Sequence, residues 1–268
     1  MSVKAEMKSP LSRQEIAKNL SPKISSLVKI EYCDVCDSTN RLAKDSPFDG
    51  GVCVYVANEQ TNGRGRLGRS FYSAPNAGLY MSFLYRPSTE AKDALAITRY
   101  AAVKLCRAIE SQVELNCQIK WVNDIYLKGK KAAGILAEGV FDPDSGRVER
   151  VVLGIGINVC HLDFPPELSD IATTIEDASG VSLDRSRLAA RVIEEICSSL
   201  ENMTGADIAR EYRERSILIG KDVLVKRGED TYPATVIDIS DSGELVLRLS
   251  GGEVERLYTG EVSIRIKK

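Results

Sequence analysis

Gln60-Thr61-Asn62-Gly63-Arg64-Gly65-Arg66-Leu67-Gly68-Arg69 interleaves three arginines with three glycines, and the rest of the chain is best read outward from it. The composition is wrong for a core. Glycine carries a high ordering entropy and lets backbone amides approach a ligand, while arginine offers a fixed fork of donors for phosphate and carboxylate oxygens. The stretch predicts a loop that orders over an anion. It is not a Walker P-loop, because no Gly-Lys-Ser/Thr follows. On composition alone, a solvated Arg-Gly loop or a nonspecific nucleic-acid contact would account for it as well. On its N-terminal side VCVYVANEQ (52–60) alternates as a strand does, and beyond it LYMSFLYR (79–86) reads as another strand.

Further upstream, SRQEIAKNL (12–20) predicts a short helix opened by a Ser cap with an acid three residues later. A strand at YCDVCDS (32–38) runs into DSTNRLAK (37–44), which places Ser38, Thr39 and Asn40 at a strand-to-helix junction. Downstream, residues 88–111 predict a helix with Leu95, Ala102, Leu105, Cys106 and Ile109 on one face. QIKWVNDIYL (118–127) and AAGILAEGVF (132–141) predict strands around the linker KGKK (128–131). DPDSG (142–146) then turns into RVERVVLGIGINV (147–159), a hairpin. Residues 184–204 form an amphipathic pattern with Leu188, Val192, Ile193, Ile196 and Leu200 on one side, and GADIAREYRERS (205–216) a third helix. After Gly220 come DVLVKR, YPATVIDI, ELVLRL, VERLY and VSIRI, short strands that suggest a small barrel. A boundary near 216–221 divides the chain into units 1–217 and 218–268.

The 268-residue chain can bury a core without staples, and 36 basic against 38 acidic residues leave a formal charge of -2. No global field draws nucleic acid, so any basic site must be local. The first residues lack a signal peptide's pattern, and no stretch approaches the ~18 apolar residues of a membrane span, so a cytoplasmic protein is expected. Seven cysteines are expected as structural thiols in a reducing compartment. Cys33 and Cys36 form a C-x-x-C with no second pair, and the one histidine, His161, is distant.

Three further stretches carry chemistry. Lys120-Trp121-Val122-Asn123-Asp124 places an amide and a carboxylate within an apolar strand, where unpaired polar groups cost about 1–3 kcal/mol each. Lys131, at the head of the next strand, could project into a pocket, although a lysine in a turn commonly faces solvent. Gly154-Ile155-Gly156-Ile157-Asn158 has glycines at alternate positions, clearing one strand face for a flat or slender ligand or for close packing. Ser38 and Thr39 could serve as helix caps, ligand contacts or both.

Taken in order, DSTN (37–40), NEQTNGRGRLGR (58–69), KWVNDIYL (120–127), KKAAGIL (130–136) and GIGIN (154–158) closely resemble the biotin protein ligase family. The likeness extends to LDRSRLA (183–189) and to the C-terminal strands. It implies an α/β fold like that of class II aminoacyl-tRNA synthetases, with a mixed, largely antiparallel sheet backed by helices and an SH3-like small β-barrel behind it. It implies an enzyme that activates biotin with ATP and Mg2+ to biotinyl-5'-AMP. The biotinyl group would then pass to a lysine of a biotin carboxyl carrier protein domain of a carboxylase. By match, Ser38, Thr39, Asn40, Gln60, Gly63, Arg64, Gly65, Arg66, Lys131, Gly154 and Gly156 fall at the biotin site. Arg66, Arg69, Asn123, Asp124 and Asn158 fall at the ATP site. Lys131, Arg66 and Asp124 are the expected catalytic residues, Asp124 also the expected Mg2+ ligand and a candidate for deprotonating the incoming lysine. Because positioning and charge stabilisation dominate such chemistry, no Ser-His-Asp set is required.

Three departures stand out. Val122 replaces the family's proline, Leu67 breaks the second arginine pair, and no tryptophan at DIATTI (170–175) is available to stack on adenine. Only 36 residues precede the DSTN motif, which resembles the single-function class without a DNA-binding domain. No DNA or membrane partner is expected, and a homodimer through a sheet edge is plausible. The rival readings are a lipoate ligase or acyltransferase of the same fold and a biotin-responsive nucleic-acid-binding regulator.

Overall fold

A computed structural model of the chain describes residues 10–87, 94–142, 144, 146, 148–200, 203–227, 230–258 and 262–266. The helices are α1 (Arg13–Lys18), α2 (Pro22–Ser25), α3 (Thr39–Asp45), α4 (Ala94–Glu110), α5 (Pro166–Ser169), α6 (Ile175–Ser179), α7 (Arg185–Cys197) and α8 (Ala206–Glu214). The strands β1 (Val28–Cys36), β2 (Val52–Gln60), β3 (Gly78–Tyr85), β4 (Gln118–Lys120), β5 (Asp124–Leu127), β6 (Lys130–Phe141) and β7 (Val148–Asn158) form one sheet in the order β1-β2-β3-β7-β6-β5-β4. Only β1 and β2 run parallel, the remaining pairs being antiparallel. A parallel pair needs a crossover, and α3 lies in it.

Alternation in the middle strands decides how the sheet is covered. Cys53 and Tyr55 point to one face with Leu84 and Val152, under Ala43 of α3. Val54 and Val56 point to the other, into a core shared with α4 and α7. Period-two side chains that are apolar on both faces require cover on both, which accounts for two layers of helix. Across α4 and α7, the buried Tyr100 hydroxyl donates to the Ile196 carbonyl at 2.6 Å. Asp184 caps α7 by accepting from the Ser186 and Arg187 amides, which fixes the helix start where the sequence places it.

The C-terminal strands β8 (Asp222–Arg227), β9 (Asp230–Ile239), β10 (Leu245–Leu249), β11 (Val254–Leu257) and β12 (Val262–Ile266) form a second sheet in the order β11-β10-β9-β8-β12, all antiparallel. All five short strands read from the sequence are therefore present. Its β9–β10 turn touches the turn between β4 and β5 and helix α8. The Trp121 indole donates to the Gly243 carbonyl at 2.9 Å, and Arg213 pairs with Asp241 at 2.6 Å.

Three expectations need adjustment. The helix read over 88–111 is observed from Ala94, residues 88–93 lying outside the described residues. The helix read over 184–204 ends at Cys197, of which residues 201–202 are likewise not described. The single strand read over 118–127 is two strands, β4 and β5, joined by a turn at Trp121–Asn123. That turn is held by tertiary contacts that sequence periodicity cannot register.

Candidate active site

One cavity gathers the N-terminus of α3, the end of β2, the arginine loop, the Trp121–Asn123 turn and the facing stretch of β6 and β7. Ser38 is the residue before α3, yet its hydroxyl makes no capping bond. The Gln60 side chain takes that part instead. Its Oε1 accepts from the Thr39 amide at 2.8 Å, and its Nε2 donates to Ser73 Oγ at 3.0 Å. Ser38, Thr39 and Asn40 are exposed by 2%, 3% and 5%, so this end of the cavity is walled by buried, uncharged polar groups.

The glycines of β6 and β7 make room, but much of the room is taken by the protein's own side chains. Gly134 and Gly156 are partners across the two strands, and a Cβ on Gly156 would stand 2.7 Å from Phe71 Cε1. On Gly134 it would stand 3.4 Å from Phe71 Cε2. The Phe71 ring therefore lies over this glycine pair. A Cβ on Gly154 would stand 2.1 Å from Asn40 Oδ1. The alternate glycines thus seat Phe71 and Asn40 as well as bordering the cavity, a use that a reading of Gly154 and Gly156 as bare ligand floor does not include.

The other end is charged. Lys131, at the head of β6, has its ammonium 6.0 Å from the Phe71 ring centre and 2.7 Å from Asp124 Oδ1. Contact with Asp124 is an ion pair rather than an aligned hydrogen bond. Asn123 is held from both sides: its Nδ2 donates to the Ile135 carbonyl at 2.9 Å, and its Oδ1 is 3.4 Å from Arg66 Nη1. The Val122 carbonyl accepts from the buried Tyr212 hydroxyl at 2.8 Å. With Trp121 tied to Gly243, three elements clamp the turn that carries Asn123 and Asp124.

Residues 63–71 fold back on themselves as a small hairpin. Phe71 N donates to Gly63 O at 2.9 Å, Gly65 N donates to Arg69 O at 2.7 Å, and Arg64 bridges Ser70. A Cβ on Gly63 would meet Phe71 O at 2.4 Å, so the chains approach too closely there for any other residue. Leu67 turns through φ 56° and is 60% exposed, which brings the flanking Arg66 inward and Arg69 back to the cavity rim. Burial lowers the Arg66 guanidinium pKa, against the pull of Asp124.

Among the described residues, five cationic side chains, Arg64, Arg66, Arg69, Lys120 and Lys131, border the cavity against one carboxylate, Asp124. In a chain of net charge -2 this is a local anion site. Of the residues expected at the site, Ser38, Thr39, Asn40, Gln60, Arg64, Gly65, Arg66, Arg69, Asn123, Asp124, Lys131, Gly154 and Gly156 border the cavity. Gly63 and Asn158 do not: Gly63 closes the hairpin base, and Asn158 donates to the Thr173 carbonyl at 3.2 Å. Sequence reasoning missed Phe71, Met81 and Trp121 as wall residues. An aromatic directly after a Gly-Arg loop was the one available signal.

A profile of the Biotin/lipoate A/B protein ligase family matches residues 32–158, and one of the Biotin protein ligase C terminal domain matches residues 218–265. The bifunctional ligase/repressor BirA of Bacillus subtilis (strain 168) is 33% identical over 267 residues, spanning 95% of this chain and 79% of the relative. A biotin–acetyl-CoA-carboxylase ligase of Mycobacterium tuberculosis is 30% identical over 267 residues, spanning 95% of this chain and 96% of the relative. Among solved structures, the biotin protein ligase from Aquifex aeolicus in complex with biotin and ATP superposes with a TM-score of 0.78 at 28% identity, covering 89% of this chain and 99% of that one.

Proposed function

The chain belongs to the biotin protein ligase family, and from that premise we propose that its cavity binds biotin and ATP and joins them as biotinyl-5'-AMP. The biotinyl group then passes to a lysine of a biotin carboxyl carrier protein domain. The observation that carries the reading is the division of the cavity. Uncharged polar groups at Ser38, Thr39, Asn40 and Gln60 border the cavity with Asn40 against Gly154, while Lys131 stands beside Gly134, the partner of Gly156, and Arg66 reaches Asn123. This suits a ligand with a neutral hydrogen-bonding head, an apolar body and a carboxylate tail. Lipoate shares the last two features, but its dithiolane offers neither an N–H nor a carbonyl to the buried polar end.

In this reading the biotin carboxylate takes Lys131 as its counterion in place of Asp124, and attacks the ATP α-phosphate. Pyrophosphate leaves with the bonding pair of the broken P–O bond. Arg66 and Lys131 offset charge on the phosphoryl oxygens, with Arg69 toward the departing phosphates. Among the described residues Asp124 is the one carboxylate bordering the cavity, which fits Mg2+ entering mainly on the nucleotide phosphates, and the ion would neutralise charge there. The carrier lysine's amine then attacks the mixed anhydride, AMP leaves, and Asp124, freed from Lys131, is positioned to take the amine's proton. Residues 1–217 serve as the catalytic unit and 218–268 as a C-terminal unit bracing the Trp121–Asn123 turn. Seven free thiols suit work in the reducing cytoplasm.

The test is ATP-dependent transfer of radiolabelled biotin to a carrier domain, with lipoate offered in parallel. Biotin labelling that collapses in Lys131→Ala is expected. Labelling with lipoate alone would move the chain to the sister activity, and labelling with neither would overturn the reading.

A further inference from the structure

The Cys33-x-x-Cys36 pair takes no part in the chemistry above, yet it ends directly before the polar wall of the cavity. Residues three apart in a regular strand lie about 10 Å apart along the chain and face opposite ways. The end of β1 departs from that pattern. Along Cys33–Cys36 the exposure runs half-buried, exposed, exposed, half-buried, so the alternation breaks. The ladder with β2 passes through Cys33↔Ala57 and Val35↔Glu59, and Asp34 between them takes its carboxylate to the Asn58 amide at 3.1 Å. Both cysteines are free thiols, and they meet in a hydrogen bond, Cys36 donating to Cys33.

That contact also sets their acidities. The hydrogen bond from Cys36 holds the Cys33 thiol below its ordinary range, against burial and the Asp34 charge, while the same bond pushes Cys36 up. A half-buried thiol with thiolate character beside a resolving thiol is the arrangement that reacts with disulfides. Cys106 and Cys117 share a thiol–thiol hydrogen bond too, but both are buried in the core, out of a reagent's reach.

Backbone bonds tie the pair to the site. The Cys36 carbonyl accepts from the Thr61 amide and the Asp37 carbonyl from the Asn62 amide, both at 2.9 Å. These bonds hold the root of the arginine hairpin, and Ser38 and Thr39 follow at once. A disulfide keeps its Cα atoms about 4.4–6.8 Å apart, so closing one here folds the end of β1 and breaks this grip.

We propose that Cys33 and Cys36 are a modification site for low-molecular-weight disulfides, and that closure to an intramolecular disulfide loosens the arginine hairpin and weakens ligand binding. The Cys33 thiolate attacks one sulfur of the reagent, and a thiolate leaves with the electron pair of the broken S–S bond. The Cys36 sulfur then attacks Cys33 in the mixed disulfide and expels the second thiolate. The two released thiolates take up the protons of the two cysteines, so the protein is oxidised by two electrons and the reagent reduced by two. The effect on binding rests on the biotin reading; the modification does not.

The test incubates the full chain with oxidised glutathione, maps its disulfides by peptide mass spectrometry, and measures biotin dissociation constants by calorimetry before oxidation, after it and after dithiothreitol. A Cys33–Cys36 disulfide is expected, with biotin affinity weakened about tenfold, the scale of losing a backbone hydrogen bond, and restored by the reductant. Cys36→Ser should stop at a mixed disulfide on Cys33, and Cys33→Ser should leave Cys36 unmodified. The double variant should bind as reduced wild type does and keep its affinity under oxidant. Should a serine variant fail to fold, Cys33→Ala and Cys36→Ala carry the same comparison. Absence of the intramolecular disulfide, unchanged affinity once it has formed, or a loss that persists in the double variant would overturn the proposal. Reduced wild type that bound no biotin would instead overturn the underlying reading and the predicted effect on binding, and the mapped disulfide alone would then decide the modification.

Discussion

Replacing Gly156 by alanine adds one methyl group, and the structure says where it goes. The new Cβ would stand 2.7, 2.9 and 3.0 Å from three carbons of the Phe71 ring. Ordinary contact between carbons is about 3.5–4.0 Å, so the ring must retreat by about 1 Å. It cannot sink, because β6 and β7 lie inside the sheet and the ring also rests on Gly134. It must lift into the cavity and draw on the hairpin bond from Phe71 N to Gly63 O. Overpacking of this kind costs about 1–3 kcal/mol, which at 1.4 kcal/mol per factor of ten is about a 5- to 150-fold loss of biotin affinity. Trp121 is the chain's one tryptophan and borders the cavity, so its fluorescence gives the titration directly. Gly139→Ala, whose Cβ would stand 3.4 Å from the exposed Phe141 ring and 3.6 Å from Val148 Cγ2, is the control and should bind as wild type does. In a Phe71→Leu background the Gly156→Ala cost should shrink. Gly156→Ala binding within twofold of wild type would refute the stacked-ring reasoning.

Further outcomes are expected elsewhere. Asp124→Asn should slow transfer from preformed biotinyl-adenylate to a carrier lysine by about tenfold or more, and full transfer in a single-turnover assay would remove Asp124 as the base. Trp121→Phe deletes the donor to Gly243 O and should cost about 1–3 kcal/mol of stability, read by denaturant unfolding; an unchanged midpoint would show that the C-terminal turn does not brace the site. His161 is raised above its ordinary pKa by its hydrogen bond to Asp177 and that residue's charge, with Asp163 adding to them against slight desolvation. A raised folded-state pKa gives stability that is present below the unfolded value of about 6.5 and lost as pH rises through the folded value. An NMR titration of this single histidine should place its midpoint above 6.5, and Asp177→Asn should bring it down.

What could be read from the sequence follows from how local each signal was. The alternation of Val52–Gln60 and the apolar spacing in Ala94–Glu110 are properties of one element, and both elements appear where the periodicity puts them. The five C-terminal strands were visible for the same reason. Trp121–Asn123 was read as strand because strand-like residues flank it. Its turn depends on Tyr212, Ile135 and Gly243, distant in sequence. At the site, the arginines and Lys131 declared themselves by composition and motif. The seat of Phe71 did not, because it needs Gly134 opposite Gly156, a register that exists only once β6 and β7 pair.

Exchange of labelled pyrophosphate into ATP without any carrier present tests most directly whether this cavity joins biotin to the α-phosphate of ATP. Exchange that requires biotin, is absent with lipoate and is lost in Lys131→Ala is the predicted result. Exchange that proceeds with lipoate but not biotin, or that survives intact in Lys131→Ala, would contradict the account.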